Sequence, residues 1–119
     1  MTDSLFEQLG GAEAMRAAVD LFYEKVLADP KINHFFEGRD MSKQRAMQTA
    51  FLSTVFGGPA NYTGQTLRQA HAGLVLDDSH FDAVARHLQS TLDELGVARD
   101  LADQVMAIAA STRDDVLNR

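Results

Sequence analysis

Neither cysteine nor tryptophan occurs among the 119 residues. Without thiols the chain can form no disulfide, no zinc–thiolate site, no iron–sulfur cluster and no cofactor attachment of the C-x-x-C-H kind. Any metal must be held by histidine, a carboxylate or another non-thiolate side chain. Apolar runs of the ~20 residues that a membrane span requires are also missing. The opening MTDSLFEQLGG has no basic stretch leading into an apolar one, so it does not read as a signal peptide. Positive charge is scarce: 11 Lys and Arg stand against 17 Asp and Glu, leaving −6 and a pI near 5. Such a field repels nucleic acid and anionic membranes. The expectation is a soluble cytoplasmic protein with no nucleic-acid or membrane partner. H-E-x-x-H, P-loop, G-x-S-x-G and dinucleotide-binding signatures are absent as well.

What remains is a helical chain. Its length suits one domain, residues 1–119, with room for a hydrophobic core. Glycine and proline divide the helical patterns. Ser4 and Glu7 open a short helix over about residues 4–9, which Gly10-Gly11 stops. Met15, Val19, Phe22 and Val26 then recur at helical spacing over about 12–28, up to Asp29-Pro30. A connector, KINHFFEGRD, contains two adjacent phenylalanines. The next helix spans about 41–56, with Asp40 as N-cap and Gly57-Gly58-Pro59 as its stop. An irregular GGPANYTGQT follows, then a short helix over about 66–74. Ser79 and Asp82 suggest a capped helix over about 80–95, and a last one covers about 98–117. No segment alternates long enough to form a strand. The fold class is all-α.

A few polar residues do not suit a plain helical core. In MSKQRAMQTAFLSTVF, Gln44 and Gln48 lie one turn apart on the apolar face with Met41, Phe51 or Leu52, and Val55. A buried amide without partners costs about 1–3 kcal/mol, so both must be bonded, border a cavity, or lie at the water boundary. Tyr23 follows Phe22 on an inward face and is either a rim residue or a buried phenol with a partner. Phe35-Phe36 either plugs the core or lines a ligand site. In LRQAHAGLV, His71 shares a stripe with Leu67 and Leu74. A histidine there is a satisfied core residue or a metal ligand; its neighbours Ala70 and Ala72 leave room for a bulky flat group. His34, His80 and His87 read as surface residues.

In this order and spacing, Gly10-Gly11, FYEKVLADP, HFFEGRDM, FGGPANYTG, LRQAHAGLV and HFDAVARHL resemble the group I truncated haemoglobins, over about residues 4–117. The resemblance implies a truncated globin, a two-over-two helical sandwich around a b-type haem (iron protoporphyrin IX). It implies His71 as the axial iron ligand, Tyr23 as the distal hydroxyl donor, Gln44 and Gln48 as the distal amides beside it, and Phe36 as a ring on the haem face. Lys43 resembles a propionate-facing position, for which Arg39, Tyr62 and Arg68 compete. Met47 stands where some relatives carry a distal histidine or lysine that binds iron. It is expected at the pocket edge, with water or Gln44 in the distal space, although a thioether can ligate haem iron. With no histidine after position 87, the last helix cannot make the covalent haem link of some relatives. The implied function is reversible binding of oxygen and other diatomic gases, nitric oxide and carbon monoxide among them. Conversion of nitric oxide to nitrate would make the chain a reductase-dependent nitric oxide dioxygenase. A non-catalytic oxygen carrier or sensor is the alternative, and a haem-free helical interaction module the third reading.

Overall fold

The computed structural model describes residues 4–58 and 66–118. Among them every regular element is helical: α1 (Leu5–Gln8), α2 (Gly11–Leu27), a 3-10 turn (Asn33–Phe36), α3 (Met41–Val55), α4 (Leu67–His71), α5 (Asp78–Glu94), α6 (Arg99–Ala110) and α7 (Arg113–Leu117). None of these helices is long and apolar enough to cross a membrane.

The helix starts follow side-chain chemistry. Ser4 Oγ accepts from Glu7 N at 3.2 Å, and Asp40 Oδ1 accepts from the amides of Ser42 and Lys43, as the capping patterns suggest. Gly10 precedes α2 at φ +113, where a Cβ would also meet that of Ala14 at 2.9 Å. Only glycine allows so tight a turn from α1 into α2. At the far end of α3 a Cβ on Gly58 would lie 2.7 Å from the Phe6 ring. That close approach lets α1 dock on the end of α3, where Phe6 N donates to Phe56 O at 2.8 Å.

Three expected boundaries are corrected. The helix expected at 80–95 begins earlier: Asp77, not Ser79, is its N-cap, accepting from the amides of Ser79 and His80 while His80 Nδ1 accepts from Asp77 N. The helix expected at 98–117 breaks into α6 and α7. Ser111 Oγ and Thr112 Oγ1 donate to the carbonyls of Ile108 and Ala109, and such local bonds compete with helical continuation. The helix expected at 66–74 stops at His71, because Ala72 is extended and Gly73 takes φ +84.

The helices pair as α2 with α3 and α5 with α6, and α2 also packs on α5; the short α4 rests chiefly on α7. Two apolar clusters form the core. One gathers Phe6, Met15, Phe56, Leu92, Ala102 and Val105. The other joins Val19, Tyr23, Val26, Ile32 and Ala83, with Phe35 and Phe36 packed against it. The paired phenylalanines thus serve the core, and they also line the cavity.

Candidate haem and gas site

Tyr23 sits deep in α2 and is 3% exposed. Phe22 and Phe36 meet its ring edge-on, with centroids 5.3 and 5.7 Å away. The alternative of a rim tyrosine is excluded. The Asp40 cap begins α3 so that Gln44 lies one turn in, and Gln44 Nε2 donates to the Tyr23 hydroxyl oxygen at 3.2 Å. Burial raises the Tyr23 pKa above its ordinary value, opposed by the Gln44 bond and by the charges of Arg39 and Arg45. The phenol therefore keeps its proton at neutral pH. Because its oxygen already accepts from the amide, that proton remains to be donated elsewhere. Gln48, one turn further along α3, is half-buried beside it.

Tyr23, Gln44 and Gln48 line one cavity together with Phe36, Met47 and, from α4, His71. Its volume is about 560 Å³, within the ~300–1,000 Å³ usual for small-molecule and cofactor sites. Apolar side chains make up most of its wall, and they come from α2, α3, α5 and α6 as well as the short segments. His71 is half-buried at the last position of α4. The helix that carries it is opened by a reciprocal pair the sequence reading overlooked: Thr66 Oγ1 accepts from Gln69 N, and Gln69 Oε1 accepts from Thr66 N. The T-x-x-Q pattern was the available signal.

The donor set tests which group could occupy the cavity. Among the described residues, no three His, Cys, Asp or Glu side chains converge to hold a bare ion. His80 also lines the cavity, but its Nδ1 accepts from the Asp77 amide; two imidazoles cannot complete a bare ion's coordination, so a metal here must bring further ligands with it. A flat, largely apolar macrocycle such as haem fits that requirement: the His71 imidazole could ligate its metal, and the apolar walls could receive the ring.

The basic residues separate. Arg39 lines the cavity, and its Nε donates to Phe35 O at 3.3 Å. Lys43 is exposed and outside the lining. Arg68 Nη2 lies 3.1 Å from Asp115 Oδ1 on α7. Tyr62 lies outside the described residues. Met47 is 39% exposed at the cavity's edge. Of the histidines read as surface residues, only His34 is exposed. His80 is half-buried, bonded to the Asp77 amide and edge-on to Phe35. His87 Nε2 donates to Asp29 Oδ2 at 2.7 Å, joining α5 to the end of α2. Helical phase had left both rings facing neighbouring elements, which local sequence does not disclose.

Comparison with known proteins agrees with this architecture. The bacterial-like globin model matches residues 4–118. A group 1 truncated hemoglobin of Chlamydomonas moewusii is 54% identical over 118 residues, covering 97% of this chain and 68% of that protein. One from Synechocystis is 50% identical over 122 residues, covering 98% of each. The crystal structure of the 2/2 hemoglobin from Synechococcus, in the cyanomet state and with covalently attached heme, has a TM-score of 0.94 at 48% identity, covering 98% of this chain and 100% of that one. With its two helix pairs, its shared cavity and these matches along nearly its whole length, the chain belongs to the bacterial-like globin family, among the group 1 truncated haemoglobins.

Proposed function

We propose that this truncated haemoglobin holds oxygen tightly and reversibly at a b-type haem ligated by His71, and that Tyr23, Gln44 and Gln48 set how long the gas stays. Haem-based binding of small gases follows from membership of the family. When bound, haem would supply an iron that an imidazole can ligate and that can bind a diatomic gas. His71 offers the imidazole nitrogen. Phe36, edge-on to Tyr23 in the same lining, would pack against a face of the bound group, and the apolar walls would keep bulk water away.

The observation that carries this reading is the 3.2 Å Gln44–Tyr23 bond in the cavity that His71 also lines. It fixes the phenol oxygen as an acceptor and frees the O–H to donate to a gas ligand that carries negative charge. A preorganised donor in a water-poor site stabilises such charge strongly. Gln48 supplies a second amide, and a connected set of donors is stronger than its separate bonds. Arg39 is the basic residue best placed for a propionate, ahead of Lys43 and Arg68. Met47, at the cavity edge, would pack against the periphery of the bound haem rather than ligate its iron.

The finer activity is conversion of nitric oxide to nitrate. One nitric oxide, one oxygen molecule and one electron yield one nitrate, so each turnover needs a one-electron donor, and a reductase is the implied partner. Uncharged diatomics pass readily through an apolar wall, and a long-lived oxygen complex is the form that this chemistry consumes. The test has two parts. Purified protein given haemin should show a Soret band that His71→Ala abolishes; an unchanged band would remove His71 from the site. The oxygenated protein should then decay rapidly on mixing with nitric oxide and yield nitrate. A slow reaction without nitrate would leave a carrier or sensor.

A further inference from the structure

The iron-facing histidine sits on a helix too short to hold itself. Five residues give α4 little more than one hydrogen-bonded turn, and isolated helices of that length do not persist in water. Its position must be imposed by what it rests on, and that is chiefly α7, itself only five residues long. We propose that Arg113 is a positioning residue for His71, because it clamps α7 to α5 and α7 in turn holds α4. This inference rests on the reading of His71 as the axial ligand.

The clamp is specific. Arg113 Nη1 lies 2.8 Å from Asp78 Oδ1, and Nη2 lies 2.7 Å from Asp82 Oδ1. Asp78 and Asp82 are four residues apart on α5, so both carboxylates rise from one face of that helix. The guanidinium carbon is 4.4 Å from the Phe81 ring centroid. Phe81 is buried and lines the cavity, so the cation stacks on the outside of a ring whose inner surroundings belong to the site. A planar fork with two charged acceptors and an aromatic face below it fixes the orientation of α7 in a way a lysine could not.

Two residues further along α7, Asp115 takes up Arg68 at 3.1 Å. Arg68 is three residues before His71, hence one turn away on the same side of the helix. From the first turn of α5 the connection runs Asp78 and Asp82, Arg113, Asp115, Arg68, His71. Thr112, Val116 and Leu117 of the α7 region also line the cavity. A shift of α7 therefore moves both the support of the imidazole and part of the wall. All of these charged groups are at least one-third exposed, so salt screens the connection.

The test uses the whole chain loaded with haem, as ferric protein saturated with cyanide. In that state the His71 ring protons give hyperfine-shifted resonances that report the ring's orientation to the haem. Arg113→Gln and Asp115→Asn should each displace these resonances and speed transfer of haem to an acceptor globin severalfold. Arg113→Lys, which keeps charge but not the fork, should rescue only in part. Lys25→Gln is the comparison, since it removes a pair between α2 and α5, with Glu94, that does not touch α7. It should lower stability while leaving the resonances in place. Superimposable His71 resonances in Arg113→Gln and wild type, or displacement by Lys25→Gln as large as by Arg113→Gln, would overturn the proposal. If Arg113→Gln fails to fold by circular dichroism, Asp115→Asn decides on the same criteria. Failure of the wild-type chain to take up haem would refute the axial role of His71 instead, and is seen before any variant is made.

Discussion

The two sides of the cavity are built differently. Tyr23 and Gln44 stand on α2 and α3, helices of 17 and 15 residues that pack along each other, and their hydrogen bond is made between half-buried or buried groups. His71 stands on a five-residue helix held by a capping box and an exposed ion pair. The Tyr23 side, proposed as gas-facing, is preformed, whereas the His71 side, proposed as iron-facing, gains its rigidity from its neighbours and would gain more from a bound group. A ligand that binds the folded form stabilises it by mass action, so haem should stabilise the His71 side most.

The sharpest way to break this asymmetry is His71→Ala. Removing the axial donor should abolish stable haem uptake, measured by the Soret band, and remove the rise in melting temperature that haemin confers on the wild type. Helix content should fall little, because α2, α3, α5 and α6 pack without His71. A protein that retained wild-type haem affinity would show that the iron is held elsewhere. Next in size is Tyr23→Phe. Losing the donated O–H should speed oxygen release at least severalfold, and about tenfold if the bond contributes ~1.4 kcal/mol. Stopped-flow displacement of oxygen by carbon monoxide reads the rate directly, and an unchanged rate would take Tyr23 out of the site.

These two sides also differ in how far the sequence disclosed them. α2 and α3 were legible because their apolar residues recur over four turns or more, and Asp40 announces its helix. Gln44 and Gln48 stood out as amides on that apolar face, but pattern alone left them between cavity and water. Only the approach of α2 to α3, which no local signal encodes, makes Gln44 the partner of Tyr23. The His71 segment was legible as a helix but not in extent, since Gly73 and the extended Ala72 end it three residues early. Arg113 was invisible for a related reason. Its partners lie 31 and 35 residues away, and the break that creates α7 depends on two hydroxyls within an otherwise regular helical run.

A subtler perturbation asks whether the gas-facing side is preformed by its hydrogen bond or by packing alone. Gln44→Leu removes the amide while keeping an apolar side chain of similar size. The Tyr23 ring should stay in place between Phe22 and Phe36, but its hydroxyl loses the partner that fixes it. Oxygen release should accelerate by less than in Tyr23→Phe, since the O–H survives. The phenol should also ionise at a still higher pH, because the Gln44 bond is the largest influence lowering its pKa. Alkaline difference absorbance follows that ionisation. If Gln44→Leu matched Tyr23→Phe in rate, the amide itself would be the main donor to the gas.

The smallest expected effect lies away from the cavity, where His87 joins α5 to the end of α2. The hydrogen bond from His87, with the Lys31 amide second, holds the Asp29 carboxyl below its ordinary pKa. A carboxyl depressed in the folded state favours folding when ionised, so its contribution is present above the ordinary value near 3.8 and is lost as pH falls through the lower folded value. Asp29→Asn should therefore be less stable than wild type at neutral pH, with the difference shrinking as acid is added, in chemical denaturation followed by circular dichroism. The oxygen release rate should not change, because neither Asp29 nor His87 lines the cavity. A pH-independent stability difference would assign the loss to geometry at the α2 terminus rather than to the carboxylate's charge. A change in oxygen release would be the more instructive failure: it would mean that the packing of α2 on α5 reaches Tyr23, and that the gas-facing side is less preformed than its long helices suggest.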